Sequence, residues 1–482
     1  MLKSMVDVLL PWITEIVNTS ITQAHVPDNL KRSSVMPRIK KPSLDAEQMK
    51  NYRPVSNLPY VAKLLEKVVV KQLDEHLLEN DLYASHQSAY RKHHSCETAL
   101  VKICNDIHWA LDSNKCVLLI LIDQSAAFDT VNQDILLHRF QTHFGITADA
   151  LKWFASYLKG RTQAVKVGEM HSEPKPLPTG FPQGSVLGPY MYPLYTLPLF
   201  KIAERHEISI HMYADDTQLY LTCDPKDFNA AVLQLEKAIS EVREWMMSNH
   251  LKLNEDKTEY LIIAKKSTLK HIKNTEINVG SATITSSKTV KNIGGFLDQN
   301  MCMEEHAKNT IRTCYSQLRQ IAHVRPSLTK DATKILVNST ITSRLDFLNS
   351  LLYGIPKTIT EKLQLIQNNS ARLILRKKRS DHVKPLLKEL HWLPVELRIN
   401  YKINLLTFKS LKKHAPKYLQ ELLTSYTPKR PLRSSSKGLL TEHSTKTKHG
   451  DRAYMACAPI LWNALPGNVK CAKDIDSFKR LL

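Results

Sequence analysis

Apolar residues at Ile208, Ile210, Met212 and Ala214 alternate with others, and the alternation resumes at Leu219 and Leu221. A period of two predicts two short strands joined by a tight turn, with Asp215 and Asp216 at the tip. Upstream, residues 117–122 form an unbroken apolar run bounded by polar residues and too short to span a membrane. That pattern predicts a buried central strand delivering Asp123 at its end. Helical spacing marks residues 2–21, a stretch from 61 onward, 146–157, and 228–249 with Trp245 and Met246 on or near the buried side. A strand is expected at 161–167, and a loop followed by a strand within 251–266. From Met301 the pattern turns helical over 304–324, 328–353 and 359–375, the stretches being separated by proline or glycine.

The adjacent acids need a physical reason, because two like charges side by side repel and a half-buried pair is costly unless neutralised. A plain hairpin tip more often uses Asn-Gly or Asp-Gly. The pair is either a solvated turn or a carboxylate tip presented to a hard divalent cation. Asp123 tips the balance. If it lies beside residues 215 and 216, the three carboxylates make an oxygen-rich site suited to two Mg2+ ions, a role Mn2+ can also fill. Two such ions support in-line phosphoryl transfer, activating an attacking hydroxyl and steadying a departing pyrophosphate.

These residues, with GFPQGSVLGP at 180–189 and LNEDKTEYLI at 253–262, resemble the reverse transcriptase of non-LTR (LINE-type) retrotransposons, nearest the CR1 and jockey-like groups. The resemblance covers nearly the whole chain in order. It implies a mixed α/β right-hand polymerase: an antiparallel palm sheet backed by helices, fingers before and within it, a helical thumb and an α-rich C-terminal region. The corresponding divisions are an extension at 1–44, fingers and palm at 45–300, thumb at 301–376 and a basic C-terminal region at 377–482. The implied partners are an RNA template, a DNA primer and deoxynucleoside triphosphates, and the implied catalytic metal ligands are Asp123, Asp215 and Asp216.

The same resemblance implies roles for further residues. Arg91 in HQSAYRKHHSCETAL approaches the incoming triphosphate, where an arginine fork suits phosphate oxygens; an ordinary exposed arginine is the plainer reading. This chain has Ala89 and Lys92 where the family more often has glycine and proline. Phe128 packs under the sugar and excludes a 2′-hydroxyl, which is compatible with a core phenylalanine. Gln183 reaches the incoming nucleotide, and Gly184 lets backbone approach it closely. Lys257 protonates leaving pyrophosphate, or is one surface lysine among many. Residues 289–298 resemble the primer grip, with Gly294 and Gly295 permitting a sharp hairpin. Asp129 reads as a helix-start acid. Pro193 should distort the helix after Pro189, at a cost of roughly 3 kcal/mol. Arg53 either touches phosphate or caps a loop, and the basic run 376–379 is a phosphate contact or a solvated face.

Composition narrows the partners. Lys plus Arg number 67 against 46 Asp plus Glu, a formal charge of +21, which fits a protein that holds a polyanion. The eight cysteines contain no C-x-x-C pair, which argues against a zinc knuckle and for a reducing, intracellular compartment, nucleus or cytoplasm. His93, His94 and Cys96 lack a partner set at ligand spacing and read as a solvated loop. Asp7 and Pro11 interrupt the apolar N-terminus and no long apolar run follows, so neither a secretion signal nor a membrane anchor is expected. A complete element of the resembled kind carries an endonuclease ahead of the polymerase; the expectation here is a polymerase without it. The alternative is a catalytically idle nucleic-acid-binding remnant. An RNA polymerase of similar palm architecture would need a small residue at 128.

Overall fold

The computed structural model describes residues 5–125, 127–427 and 438–482; the first three residues of the expected opening helix, and Ala126 beside Phe128, lie outside them. Helix α1 (Val6–Thr22) is followed by strands β1 (Arg32–Ile39) and β2 (Tyr52–Asn57), which pair antiparallel. Thus residues 32–39, placed by the sequence in the N-terminal extension, are tied into a sheet with the segment that follows.

Helices α2 (Tyr60–Glu79) and α3 (Cys96–Asp112) come next. Helix α3 starts with a reciprocal cap: Thr98 N donates to Ser95 Oγ at 3.1 Å, and Ser95 N donates to Thr98 Oγ1 at 2.9 Å. Strand β3 (Cys116–Ile122) then enters the core. After it come α4 (Gln133–Phe144), α5 (Ala148–Leu158) and β4 (Thr162–Val167), the last pairing parallel to β1. The acid expected to start α4 is corrected. Asn132, not Asp129, caps it, its side chain accepting from the N–H groups of Asp134 and Ile135 at 3.0 Å each.

Two short helices, α6 (Gly188–Tyr195) and α7 (Pro198–Arg205), stand where Pro193 was expected to distort one. Pro193 has no N–H to continue the ladder, and α6 ends two residues later. The hairpin of β5 (Ser209–Tyr213) and β6 (Asp216–Cys223) follows, then α8 (Phe228–Ser248) and β7 (Glu259–Ile263). These strands build the palm sheet in the order β7-β3-β6-β5, antiparallel throughout. Strand β3 is central and apolar on both faces because both are covered: Leu118 and Ile120 share a core with Leu235, Ile239 and Val242 of α8, while Val117 and Leu119 share another with Leu100, Ile103 and Ile107 of α3.

A second hairpin, β8 (Thr289–Asn292) and β9 (Gly295–Asp298), leads to α9 (Glu304–Val324). Asp298 fixes that junction, accepting from the N–H groups of Asn300 and Cys302 at 3.0 Å each and of Met303 at 2.8 Å. The expected long helix over 328–353 is broken into α10 (Lys330–Val337), a π turn at Asn338–Thr342 and short turns to Leu352. Leu348, buried and left-handed at φ 58°, reverses the chain where an apolar period alone reads as continuous helix. Helix α11 (Lys357–Leu375) packs against α9 and α10 in a helical bundle.

The chain beyond residue 377 does not hang free of the rest. Its helix α12 (Val395–Leu411) and later segments share the core beneath α3. The Asp112 carboxylate at the end of α3 accepts from Lys446 N at 3.0 Å and Thr447 N at 2.7 Å. Among the described residues no helix is long and apolar enough to cross a membrane.

Candidate active site

The register of the palm sheet places the acids. In the β3–β6 ladder Ile122 is opposite Thr217, so Asp123 and Asp216 fall one step beyond the last pair. In the β7–β3 ladder Glu259 is opposite Leu121, which carries Lys257 to the same level on the other side. Directly opposed residues in antiparallel strands have Cβ atoms about 5 Å apart, and like charges there repel. Lys257 Nζ lies 3.4 Å from Asp123 Oδ2, and Asn254 Nδ2 donates to the same oxygen at 3.1 Å. Asn254 N also donates to the Asp123 carbonyl at 2.9 Å, holding the strand end in place.

Electrostatics agree with that placement. Burial pushes the Asp216 carboxyl up to about 6, and the charges of Asp215 and Asp123 push the same way. Burial also raises Asp215, with Asp123 adding to the rise and Arg53 opposing it. Arg53 is exposed on β2. The turn itself is strained: of its two residues Ala214 is left-handed at φ 59°, a conformation unfavourable for a residue with a Cβ.

A cavity of about 320 Å³ opens at this point, lined by Asp123, Asp216, Lys257, Glu259, Lys291 and Gly294 among others. Gly294 belongs to the β8–β9 hairpin, whose two-residue turn has positive φ at both Ile293 (40°) and Gly294 (88°). That geometry is the hairpin turn favoured by strand twist, and it is costly for a β-branched isoleucine. The segment expected to be a primer grip thus reaches the same cavity as two of the acids and the lysine.

The remaining expected residues form a second layer. Gln183 donates through Nε2 to both carboxylate oxygens of Asp129, at 3.0 and 2.9 Å. Burial raises the Asp129 carboxyl and this hydrogen bond opposes the rise. The loop carrying Gln183 is clamped to the turn carrying Phe128: Phe181 N donates to Phe128 O at 3.1 Å, and a Cβ on Gly180 would sit 2.6 Å from that carbonyl. Gly184, at φ 135°, lies so close to β2 that a Cβ would come within 2.4 Å of Ser56 O. The half-buried Phe128 ring packs 4.8 Å from that of Tyr192. The Tyr192 hydroxyl donates to Gln124, whose Nε2 donates to Asp215 O at 3.2 Å. Phe128 is therefore linked to the acid hairpin through two buried side chains.

Arg91 stands apart from the acids. Its guanidinium lies over the Tyr83 ring at 4.4 Å, and Nη1 donates to the carbonyls of Ala84 and Gln87 at 2.6 and 3.0 Å. It braces its own loop, with Tyr90 and His93 left-handed where the sequence lacks glycine. The solvated-loop expectation is corrected for His94: burial pulls its imidazole down to about 4, and its ring meets Tyr418 edge-on at 5.8 Å. His93 remains exposed and stacks on His414 at 5.3 Å.

Sequence reasoning missed Gln87, Gln124 and Tyr192. A buried neutral amide leaves no charge or spacing signature, and only the pairing of distant segments shows what it holds.

The donor set suits a hard divalent cation. Asp123 and Asp216 line one cavity with Asp215 adjacent in the chain; burial first, and the neighbouring carboxylates second, raise Asp215 and Asp216, and a cation would offset both costs. Among the described residues no three His, Cys, Asp or Glu side chains are grouped so as to hold a metal ion by themselves. Mg2+ needs no such grouping, since it is commonly held by one or two carboxylates together with water and substrate phosphates.

A four-stranded antiparallel palm with acids at one end, and a hairpin and helical bundle following it, defines a polymerase of the right-hand class. The chain belongs to the reverse transcriptase (RNA-dependent DNA polymerase) family, whose model matches residues 39–295. It is similar to the probable RNA-directed DNA polymerase from transposon BS of Drosophila melanogaster, with 26% identity over 373 residues covering 75% of this chain and 40% of that one. The RNA-directed DNA polymerase from mobile element jockey, of the same organism, is 24% identical over 378 residues, covering 76% and 40%. Among solved structures, apo telomerase from Candida tropicalis aligns over 83% of this chain and 71% of that chain, with 13% identity and a TM-score of 0.42. The chain spans about two fifths of the length of the curated relatives it matches.

Proposed function

We propose that this chain is the RNA-directed DNA polymerase of a non-LTR retrotransposon, adding deoxynucleotides to a primer 3′-hydroxyl on an RNA template. The observation that carries the reading is the register that sets Asp123 level with Asp216 on one side and Lys257 on the other. Asp123, Asp215 and Asp216 would hold two Mg2+ ions, or Mn2+ in their place, which when bound lower the pKa of the attacking hydroxyl and neutralise phosphate charge.

The chain's own groups do the rest. Lys257 brings an ammonium to the edge of the cavity, from which it can protonate leaving pyrophosphate. Phe128, backed by Tyr192, meets the sugar and excludes a 2′-hydroxyl. Gln183 and Gly184 form the wall of the nucleotide site. Arg91, whose Nη1 is bonded to its own loop, would have to turn the rest of its guanidinium from that loop to the triphosphate. Residues 45–300 serve as fingers and palm, joined by β1 from the preceding extension, with 301–376 as thumb and 377–482 as a basic C-terminal region. The charge of +21 suits the RNA and DNA strands, and eight free cysteines suit a reducing intracellular compartment.

Primer extension on poly(A) with an oligo(dT) primer and Mg2+ tests the reading. Incorporation of thymidine nucleotide, abolished in Asp215→Asn while template binding persists, is the expected result. Equal binding without extension in both proteins would favour the idle remnant.

A further inference from the structure

We propose that Gln87 is a positioning residue that holds the Ala214–Asp215 turn in the shape that presents the carboxylates; the inference rests on the reading of that hairpin as catalytic. Gln87 is 2% exposed. Its Oε1 accepts from Ala214 N at 3.1 Å and from Ala89 N at 3.0 Å, and its Nε2 faces Ala214 O at 3.5 Å. One side-chain amide thus engages both peptide groups of the left-handed alanine.

The need for such a clamp follows from the turn's composition. Glycine or asparagine usually occupies left-handed turn positions, glycine without steric cost and asparagine with its own side-chain hydrogen bond. Alanine has neither advantage, so the conformation must be imposed from outside. Gln87 can impose it because its backbone is itself fixed beside β5. Met212 N donates to His86 O, and Ser88 N donates to Met212 O, both at 2.9 Å. Ser88 Oγ then bonds His211 Nε2 at 2.8 Å and the Tyr418 hydroxyl at 2.9 Å, and Tyr418 donates to Thr98 Oγ1 at 3.1 Å. From the other side, Gln124 Nε2 holds Asp215 O. Two glutamines therefore grip consecutive carbonyls of one turn, and the anchor of the first reaches the C-terminal region through Tyr418.

A double-mutant cycle separates positioning from general support. Gln87→Met keeps volume and removes the hydrogen bonds; Ala214→Gly removes the steric objection to the left-handed turn. The readouts are Mn2+ affinity by electron paramagnetic resonance without substrate, and single-turnover nucleotide incorporation. Gln87→Met should weaken Mn2+ binding and slow incorporation by roughly tenfold or more, with KM for the nucleotide little changed. In the Ala214→Gly background the same change should cost several-fold less. An equal loss in both backgrounds, or unchanged Mn2+ affinity in Gln87→Met, overturns the proposal. In the unmodified protein, the Ala214 amide should exchange with solvent as slowly as strand amides; fast exchange also overturns it, whether or not the variants fold. A wild type that binds Mn2+ but extends no primer refutes the polymerase reading while the metal titrations still decide the clamp. A wild type that binds no Mn2+ defeats both.

Discussion

Replacing Asp216 with asparagine should stabilise the metal-free protein near neutral pH. Asp216 stands at the level of Asp123 and next to Asp215, and its carboxyl is raised from 3.8 to about 6. A raised carboxyl means that the native state holds its proton more tightly than the unfolded chain does. The favourable contribution is therefore full below about 3.8 and is lost as pH rises through about 6. The rise corresponds to about 3 kcal/mol. More than a third of the residue is exposed, so solvent screening reduces the share expressed in stability to about 1 kcal/mol. Urea unfolding of wild type and Asp216→Asn with a chelator present reads this directly. The variant should be more stable by about that amount near pH 7, and the gap should close as pH falls to about 4. Mg2+ should reverse the order, because a ligand at about a hundred times its Kd adds about 2.7 kcal/mol to the form that binds it. A less stable variant near neutral pH without metal, or a gap that does not change with pH, would refute the reasoning.

Three further outcomes are expected. Gly184→Ala should lower stability by at least about 2 kcal/mol in denaturant unfolding, since the new Cβ meets Ser56 O and the backbone is left-handed. Lys257→Met should leave the urea midpoint nearly unchanged, because its pair with Asp123 is largely exposed, yet slow single-turnover incorporation by roughly a hundredfold. Phe128→Val should relax discrimination against ribonucleotides by about tenfold or more, measured as the ratio of kcat/KM for deoxy- and ribonucleotides; unchanged discrimination would return Phe128 to a packing role.

The acids were legible because chemistry and periodicity coincide at them. A both-faces-apolar strand can end in Asp123 only where something charged is wanted, and alternation on either side of Asp215 and Asp216 marks a hairpin tip. The β8–β9 hairpin was legible for a similar reason, two glycines between alternating strands. Other features depend on contacts between distant segments. Asp129 and Asn132 are both able caps, and only the path of the chain decides that the asparagine caps α4 while the aspartate receives Gln183. The break at Leu348 lies inside an apolar period that suits a helix equally well. The resemblance implies a phosphate role for Arg91, and its contacts with Tyr83, Ala84 and Gln87 arise from a loop whose shape no local pattern encodes. The seating of the C-terminal segments on α3 is likewise tertiary, as Asp112 with Lys446 and Thr447 illustrates.

The central claim is that residues 123, 215 and 216 act as one unit, and single-turnover nucleotide incorporation by asparagine variants at 123 and 215, singly and together, tests it most directly. Each single change should remove roughly three orders of magnitude or more, and the double should lose little beyond the worse single, as groups serving one step do. An Asp123→Asn protein that incorporates nucleotide at the wild-type rate would contradict the account.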